Sequence, residues 1–129
     1  MTTTRNVKLL LIEDDQDDAL LFEETLSSVD DSLKVKMEWV DSLEEGLERI
    51  VGGGYDVIFL DLSLPGTHGI DTFLTLHNQY PILPIVILTG FTHDSFADEA
   101  RRQGAHDYLV KGDIDGDALT RVLTSLFED

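Results

Sequence analysis

The chain has 129 residues, 42% of them hydrophobic and none of them cysteine, which fits one globular domain with its own core and excludes disulfides and thiolate metal sites. Nine Lys and Arg against 26 Asp and Glu give a net charge of −17, so the surface repels phosphate backbones and anionic membranes, and no nucleic-acid or membrane partner is expected. No apolar run reaches membrane-spanning length and Met1–Asn6 lacks the basic and apolar parts of a signal peptide, which leaves the cytoplasm as the default location.

Short apolar strands alternate with amphipathic helices five times. Val7 to Ile12 is an apolar run broken only by Lys8, the first strand. A helix is expected from about Asp17 to Ser28, with Ala19, Phe22, Leu26 and Val29 on one face. Lys34 to Val40 alternates Val35, Met37 and Trp39 with Lys34, Lys36 and Glu38, the pattern of a strand at a sheet edge. Ser42 and Glu45 read as a capping box opening a helix whose stripe is Leu43, Leu47 and Ile50, and Gly52-Gly53-Gly54 stops it.

Val57-Ile58-Phe59-Leu60, closed by Asp61, is continuously apolar, as a central parallel strand covered on both faces must be. Beyond Pro65, Gly66 and Gly69, a third helix carries Ile70, Phe73, Leu74 and His77 to about Asn78. Ile85 to Leu88 forms the fourth strand and ends at Thr89-Gly90. A fourth helix is expected from about Asp94 to Gln103, with Gly104 as its C-terminal cap. The short fifth strand, Asp107 to Val110, ends at Lys111, and the last helix turns Leu119, Val122, Leu123 and Leu126 to one side. The alternation predicts an α/β domain over residues 1–129, folded from about 7 to 128, with an open parallel sheet and helices on both faces.

In such sheets ligands bind at the carboxyl ends of the strands. Glu13-Asp14-Asp15 ends the first strand, Asp61 the third, Thr89 the fourth and Lys111 the fifth, so the topology gathers them at one edge. Carboxylates converging there raise one another's pKa, and a divalent cation relieves the repulsion. All-oxygen ligands suit Mg2+ or Mn2+. A carboxylate beside such a metal can attack a phosphoryl group to form an aspartyl-phosphate. The metal and Lys111 would neutralise the transferring oxygens, Thr89 would donate a hydrogen bond, and Gly90 would leave room for entry.

The segments Leu9-Leu10-Leu11-Ile12-Glu13-Asp14-Asp15, Ile58-Phe59-Leu60-Asp61-Leu62-Ser63-Leu64-Pro65-Gly66, Ile87-Leu88-Thr89-Gly90 and Asp107-Tyr108-Leu109-Val110-Lys111 resemble a CheY-like response regulator receiver domain. The resemblance implies a flavodoxin-like (βα)5 fold of strand order 2-1-3-4-5. It implies Asp61 as phosphoacceptor, and Mg2+ (or Mn2+) held by Asp14, Asp61 and the backbone carbonyl of Ser63, with Glu13 acting through bound water. It casts Thr89, Gly90 and Lys111 as phosphoryl-binding, and Thr89 and Tyr108 as the switch pair that alters the face of helix four, strand five and helix five. Ser63 and Phe91 stand where the family tunes dephosphorylation, and a bulky Phe91 that screens the attacking water implies a long-lived phosphoryl group. Where receivers usually place Pro after the lysine, this chain has Gly112, so a different loop shape is expected there.

The partners so implied are a histidine kinase or histidine phosphotransfer protein and a separate downstream protein, with weak homodimerisation through the same face an open option. A stand-alone regulator without an output domain, a phosphorelay intermediate and the receiver portion of a hybrid histidine kinase remain alternatives; the Met1 start and the end just after the last helix fit the first. A regulatory phosphoacceptor is favoured over a metal-dependent phosphatase of the haloacid-dehalogenase type. That family puts its nucleophilic Asp on the first strand with a second acid two residues later, whereas Ser63 follows Asp61 at that distance. A flavin binder is disfavoured because Asp14-Asp15-Gln16-Asp17-Asp18 repels a phosphate. Most of the nine acidic residues from Glu13 to Asp31 read as a solvated face, and Trp39 reads as packing. His68, His77, His93 and His106 have no metal-site spacing and read as surface or packing residues.

Overall fold

The alternating pattern folds as its periodicities require, in a computed structural model that describes residues 4–62, 64, 69–90 and 99–128. In chain order the elements are β1 (Arg5–Ile12), α1 (Gln16–Leu26), β2 (Leu33–Val40), α2 (Leu43–Gly53), β3 (Val57–Asp61) and α3 (Ile70–Gln79). They continue with β4 (Ile85–Thr89), helical residues 99–102 (α4), β5 (Asp107–Val110), a 3-10 turn at Lys111–Asp113, and α5 (Gly116–Ser125). The five strands form one parallel sheet of order β2-β1-β3-β4-β5, the flavodoxin-like arrangement that the receiver resemblance implies.

Every residue of β3 and β4 is buried, which is why their runs are apolar without alternation. Side chains of alternating parity enter two cores. Leu10, Ile12, Ile58, Leu60, Ile85 and Ile87 pack with Ile50 of α2, Phe73 and Leu76 of α3, and Ala100 of α4. Leu9, Leu11, Phe59, Val86 and Leu88 pack with Ala19, Phe22 and Leu26 of α1 and with Leu119, Val122 and Leu123 of α5. The rings of Phe22 and Phe59 meet edge to face at 5.1 Å between centroids.

Several local expectations need adjustment. α2 continues through Gly52 and Gly53 and is ended by Gly54 alone, whose φ of 68° is the left-handed conformation that glycine accepts without strain. Ser42 caps α2 by accepting from the Glu45 amide at 3.2 Å. α3 buries Thr72, Phe73 and Leu76, with Ile70 and Leu74 partly buried against the same core and the His77 ring stacked on Phe73. Gly104 closes α4 as expected, with φ of 111° and its amide donating to the carbonyl of Arg101. Its Cβ position is also blocked, because an added carbon would lie 2.5 Å from His77 Nε2.

Candidate functional site

Three strands deliver the site by parity. Glu13 follows Leu11, Asp61 follows Phe59 and Lys111 follows Leu109, each by two residues, so all three point toward the side of the sheet covered by α1 and α5. Carboxylate oxygens of Glu13, Asp14 and Asp61 lie within 4.8 Å of one another. Glu13 and Asp61 are buried and Asp14 is exposed, so the cluster is walled by protein beneath and open to water above. A set of oxygens with an open side fits a hard divalent cation that keeps part of its water shell. The described residues can therefore hold such an ion.

The cation present is Lys111. Its Nζ lies 2.6 Å from Glu13 Oε1, 3.0 Å from Asp18 Oδ2 and 3.2 Å from Asp61 Oδ2. Burial lowers the affinity of this ammonium for its proton, but hydrogen bonds to Glu13 and Asp18 and the charge of Asp61 outweigh that, holding its pKa above the ordinary lysine value. Glu13 responds oppositely. Burial first, then a hydrogen bond shared with Asp61, push its carboxyl up to about 8 against the lowering pull of Lys111. Two carboxyl groups so close share a proton more readily than they both ionise.

This gives a prediction for protein stripped of metal. A carboxyl whose folded pKa is raised contributes stability below its unfolded value of 4.5, and that contribution is lost as pH rises through about 8. Chelator-treated protein should therefore lose stability between about pH 5 and 8, on the order of a few kcal/mol in urea unfolding. Glu13→Gln should flatten that decline, and saturating Mg2+ should restore stability at the alkaline end. A decline of equal size in Glu13→Gln would assign it to another group.

The main chain around the acids is also fixed. The Asp15 side chain caps α1 by accepting from the amides of Asp17 and Asp18, at 2.8 and 3.1 Å, and the Asp15 amide donates to Glu13 Oε2 at 3.2 Å. The indole of Trp39 donates to the Glu13 carbonyl at 2.7 Å. Asp18 and Trp39 are the two site residues that sequence reading assigns to solvated face and packing. Asp18 was detectable as the acid one helical turn beyond Asp14; Trp39 was detectable only through the strand register that sets it beside the end of β1.

Thr89 is buried at the end of β4, one register step beyond Leu88, the partner of Asp61, and opposite Val110. Tyr108 pairs with Ile87 and packs, partly buried, against the core beneath α2, α3 and α4. Thr89 and Tyr108 thus share one face of adjacent strands. Gly90 is exposed, and an added Cβ would meet no described atom within 4 Å. Gly112 lies inside the 3-10 turn that carries Lys111 toward the acids. Ser63 and Phe91, expected to supply a metal-binding carbonyl and to tune dephosphorylation, lie outside the described residues. No described helix is long and apolar enough to cross a membrane.

Comparison with known proteins agrees with this geometry. Response regulator protein FleR of Pseudomonas aeruginosa is 36% identical over 107 residues, which are 81% of this chain and 21% of FleR. A protein-glutamate methylesterase/protein-glutamine glutaminase of Syntrophomonas wolfei is 33% identical over 97% of the chain and 34% of its own length. The chain thus spans about a fifth to a third of the length of these relatives. Among solved structures, the receiver domain of Francisella response regulator 1452 superposes with a TM-score of 0.77 at 25% identity, covering 95% of this chain and 98% of that one. The signal receiver domain of an HD domain-containing protein from Pseudomonas fluorescens gives a TM-score of 0.79 at 21% identity, covering 96% of each chain. Residues 9–124 match the family described as the response regulator receiver domain, and the chain belongs to that family.

Proposed function

We propose that this receiver, folded as one domain over residues of about 7–128, takes a phosphoryl group onto Asp61 from a phosphohistidine. The donor is a histidine kinase or a histidine phosphotransfer protein in the cytoplasm. The observation that carries the reading is the position of Asp61, buried at the end of β3 between two further acids and Lys111. An Asp oxygen attacks phosphorus and the P–N bond breaks. The donor imidazole keeps the electron pair, and its nitrogen takes up a proton.

Asp14, Asp61 and the Ser63 carbonyl would hold Mg2+ or Mn2+, with Glu13 reached through water. When bound, the ion supplies positive charge to the phosphoryl oxygens. Lys111 supplies a second cation, the Thr89 hydroxyl donates to a third direction, and Gly90 leaves the entrance clear. Tyr108 follows Thr89 and changes the face of α4, β5 and α5 that a downstream protein, or weakly a second copy, would bind. The family acts through such phosphoacceptor switches and not as true enzymes.

Incubation with acetyl phosphate and Mg2+, read by intact mass, should show one phosphoryl gain that is labile to base. Asp61→Asn and a chelator control should each show none. A gain that persists in Asp61→Asn would remove Asp61 as acceptor.

A further inference from the structure

Trp39 is a polar contact that the phosphoryl chemistry leaves unused. β2 pairs with β1 as far as Ile12 and Val40, and the Glu13 amide adds one more rung by donating to the Val40 carbonyl at 3.0 Å. There β2 ends, since Asp41 and Ser42 turn into α2. No main-chain amide of β2 continues the ladder to the Glu13 carbonyl. The indole Nε1 of Trp39 occupies that place at 2.7 Å. A side chain thus supplies the rung that the strand cannot.

That carbonyl belongs to the peptide joining Glu13 to Asp14, so holding it sets the direction in which Asp14 leaves the strand. On the other side, the Asp15 amide is tied to Glu13 Oε2 and the Asp15 side chain caps α1. Asp14, the exposed member of the acid cluster, therefore sits between two anchored peptide groups. The ring lies at the surface, 37% exposed, with its N–H turned to that carbonyl.

We propose that Trp39 is a positioning residue for the metal site: its indole N–H holds the Glu13–Asp14 peptide so that both carboxylates meet Asp61 around one divalent cation. The inference rests on the reading of these acids as a cation site. Groups that orient ligands in this way typically change metal affinity by about 10- to 100-fold when removed.

The test uses the full chain and Mg2+ alone, measured by calorimetry. Two replacements are compared: Trp39→Phe, and replacement of Trp39 by benzothienylalanine, which keeps the bicyclic ring but carries sulfur in place of N–H. Both should weaken Mg2+ binding by about tenfold, with thermal unfolding of the metal-free protein unchanged. The Mg2+ concentration that half-saturates phosphorylation by acetyl phosphate should rise correspondingly, while the rate at saturating Mg2+ stays as in wild type. Trp39 is the single tryptophan, so Mg2+ should also shift the indole emission of the wild type and leave that of Asp14→Asn unmoved. Wild-type affinity in both variants overturns the inference alone. Weakening in Trp39→Phe only, with the sulfur isostere normal, assigns the effect to ring shape and overturns it too. A wild type that takes up no Mg2+ removes the cation-site reading, and the inference falls with it.

Discussion

Lys111→Met should slow phosphoryl uptake from acetyl phosphate by about 100- to 1,000-fold at saturating Mg2+, the usual cost of losing one preorganised charge-stabilising donor. Lys111 reaches Asp61 from β5 and lies within 3.2 Å of its Oδ2, so it stands where charge develops on the incoming phosphoryl group. Methionine keeps most of the stem and removes the cation. Mg2+ binding should hold or tighten, because a competing positive charge leaves the three carboxylates.

The metal-free fold should also survive. With Lys111 gone, its lowering pull on Glu13 is lost and that carboxyl rises further above the ordinary carboxylate range, so Glu13 and Asp61 keep one shared proton and the site carries one buried negative charge in place of two. Slow phosphorylation with intact Mg2+ binding therefore separates Lys111 from the metal ligands, for which both would fail together. A time course of intact masses at several Mg2+ concentrations measures the two effects at once. A rate equal to wild type would exclude Lys111 from stabilising the transfer.

Phe59→Ala should destabilise the domain by about 3–5 kcal/mol in urea unfolding, a large share of the 5–15 kcal/mol that holds a small domain folded. Phe59 is fully buried on the central strand, and its ring meets Phe22 edge to face, so truncation opens a cavity under α1 and removes an aromatic pair. It also lies two residues before Asp61 on the same strand face, beneath the acid cluster. Phe59→Leu, which fills more of the space, should cost less than half as much. A loss in Phe59→Ala as small as that in Phe59→Leu would mean that α1 and α5 close over the gap.

The strand ends were legible in the sequence because buried parallel strands are continuous apolar runs, and a polar residue that closes one marks the ligand edge. Glu13, Asp61, Thr89 and Lys111 were found in this way, and the register brings their strand ends together. Asp18 was not, because its role depends on an ion pair with Lys111, 93 residues away, and an acid in a first helical turn is ordinary. Trp39 was missed because its partner is a backbone carbonyl, which carries no residue type to recognise. Thr72 and Leu76, buried on α3 beside Phe73, carry no such mark. The helix starts at Gly69 with a φ of 49° and no side-chain cap, so its start has no capping residue to read. The raised pKa of Glu13 likewise required the actual depth of the site.

The parity of the strands has a consequence for engineering. Asp61, Glu13 and Lys111 project toward α1 and α5, whereas Thr89 and Tyr108 belong to the opposite surface of the sheet, above α2, α3 and α4. The acid cluster and the pair of Thr89 and Tyr108 therefore stand on opposite surfaces of one sheet, near the same carboxyl ends of its strands. Packing changes under α2, α3 and α4 and packing changes under α1 and α5 thus act on different surfaces of the sheet, and only the first set lies beneath Tyr108.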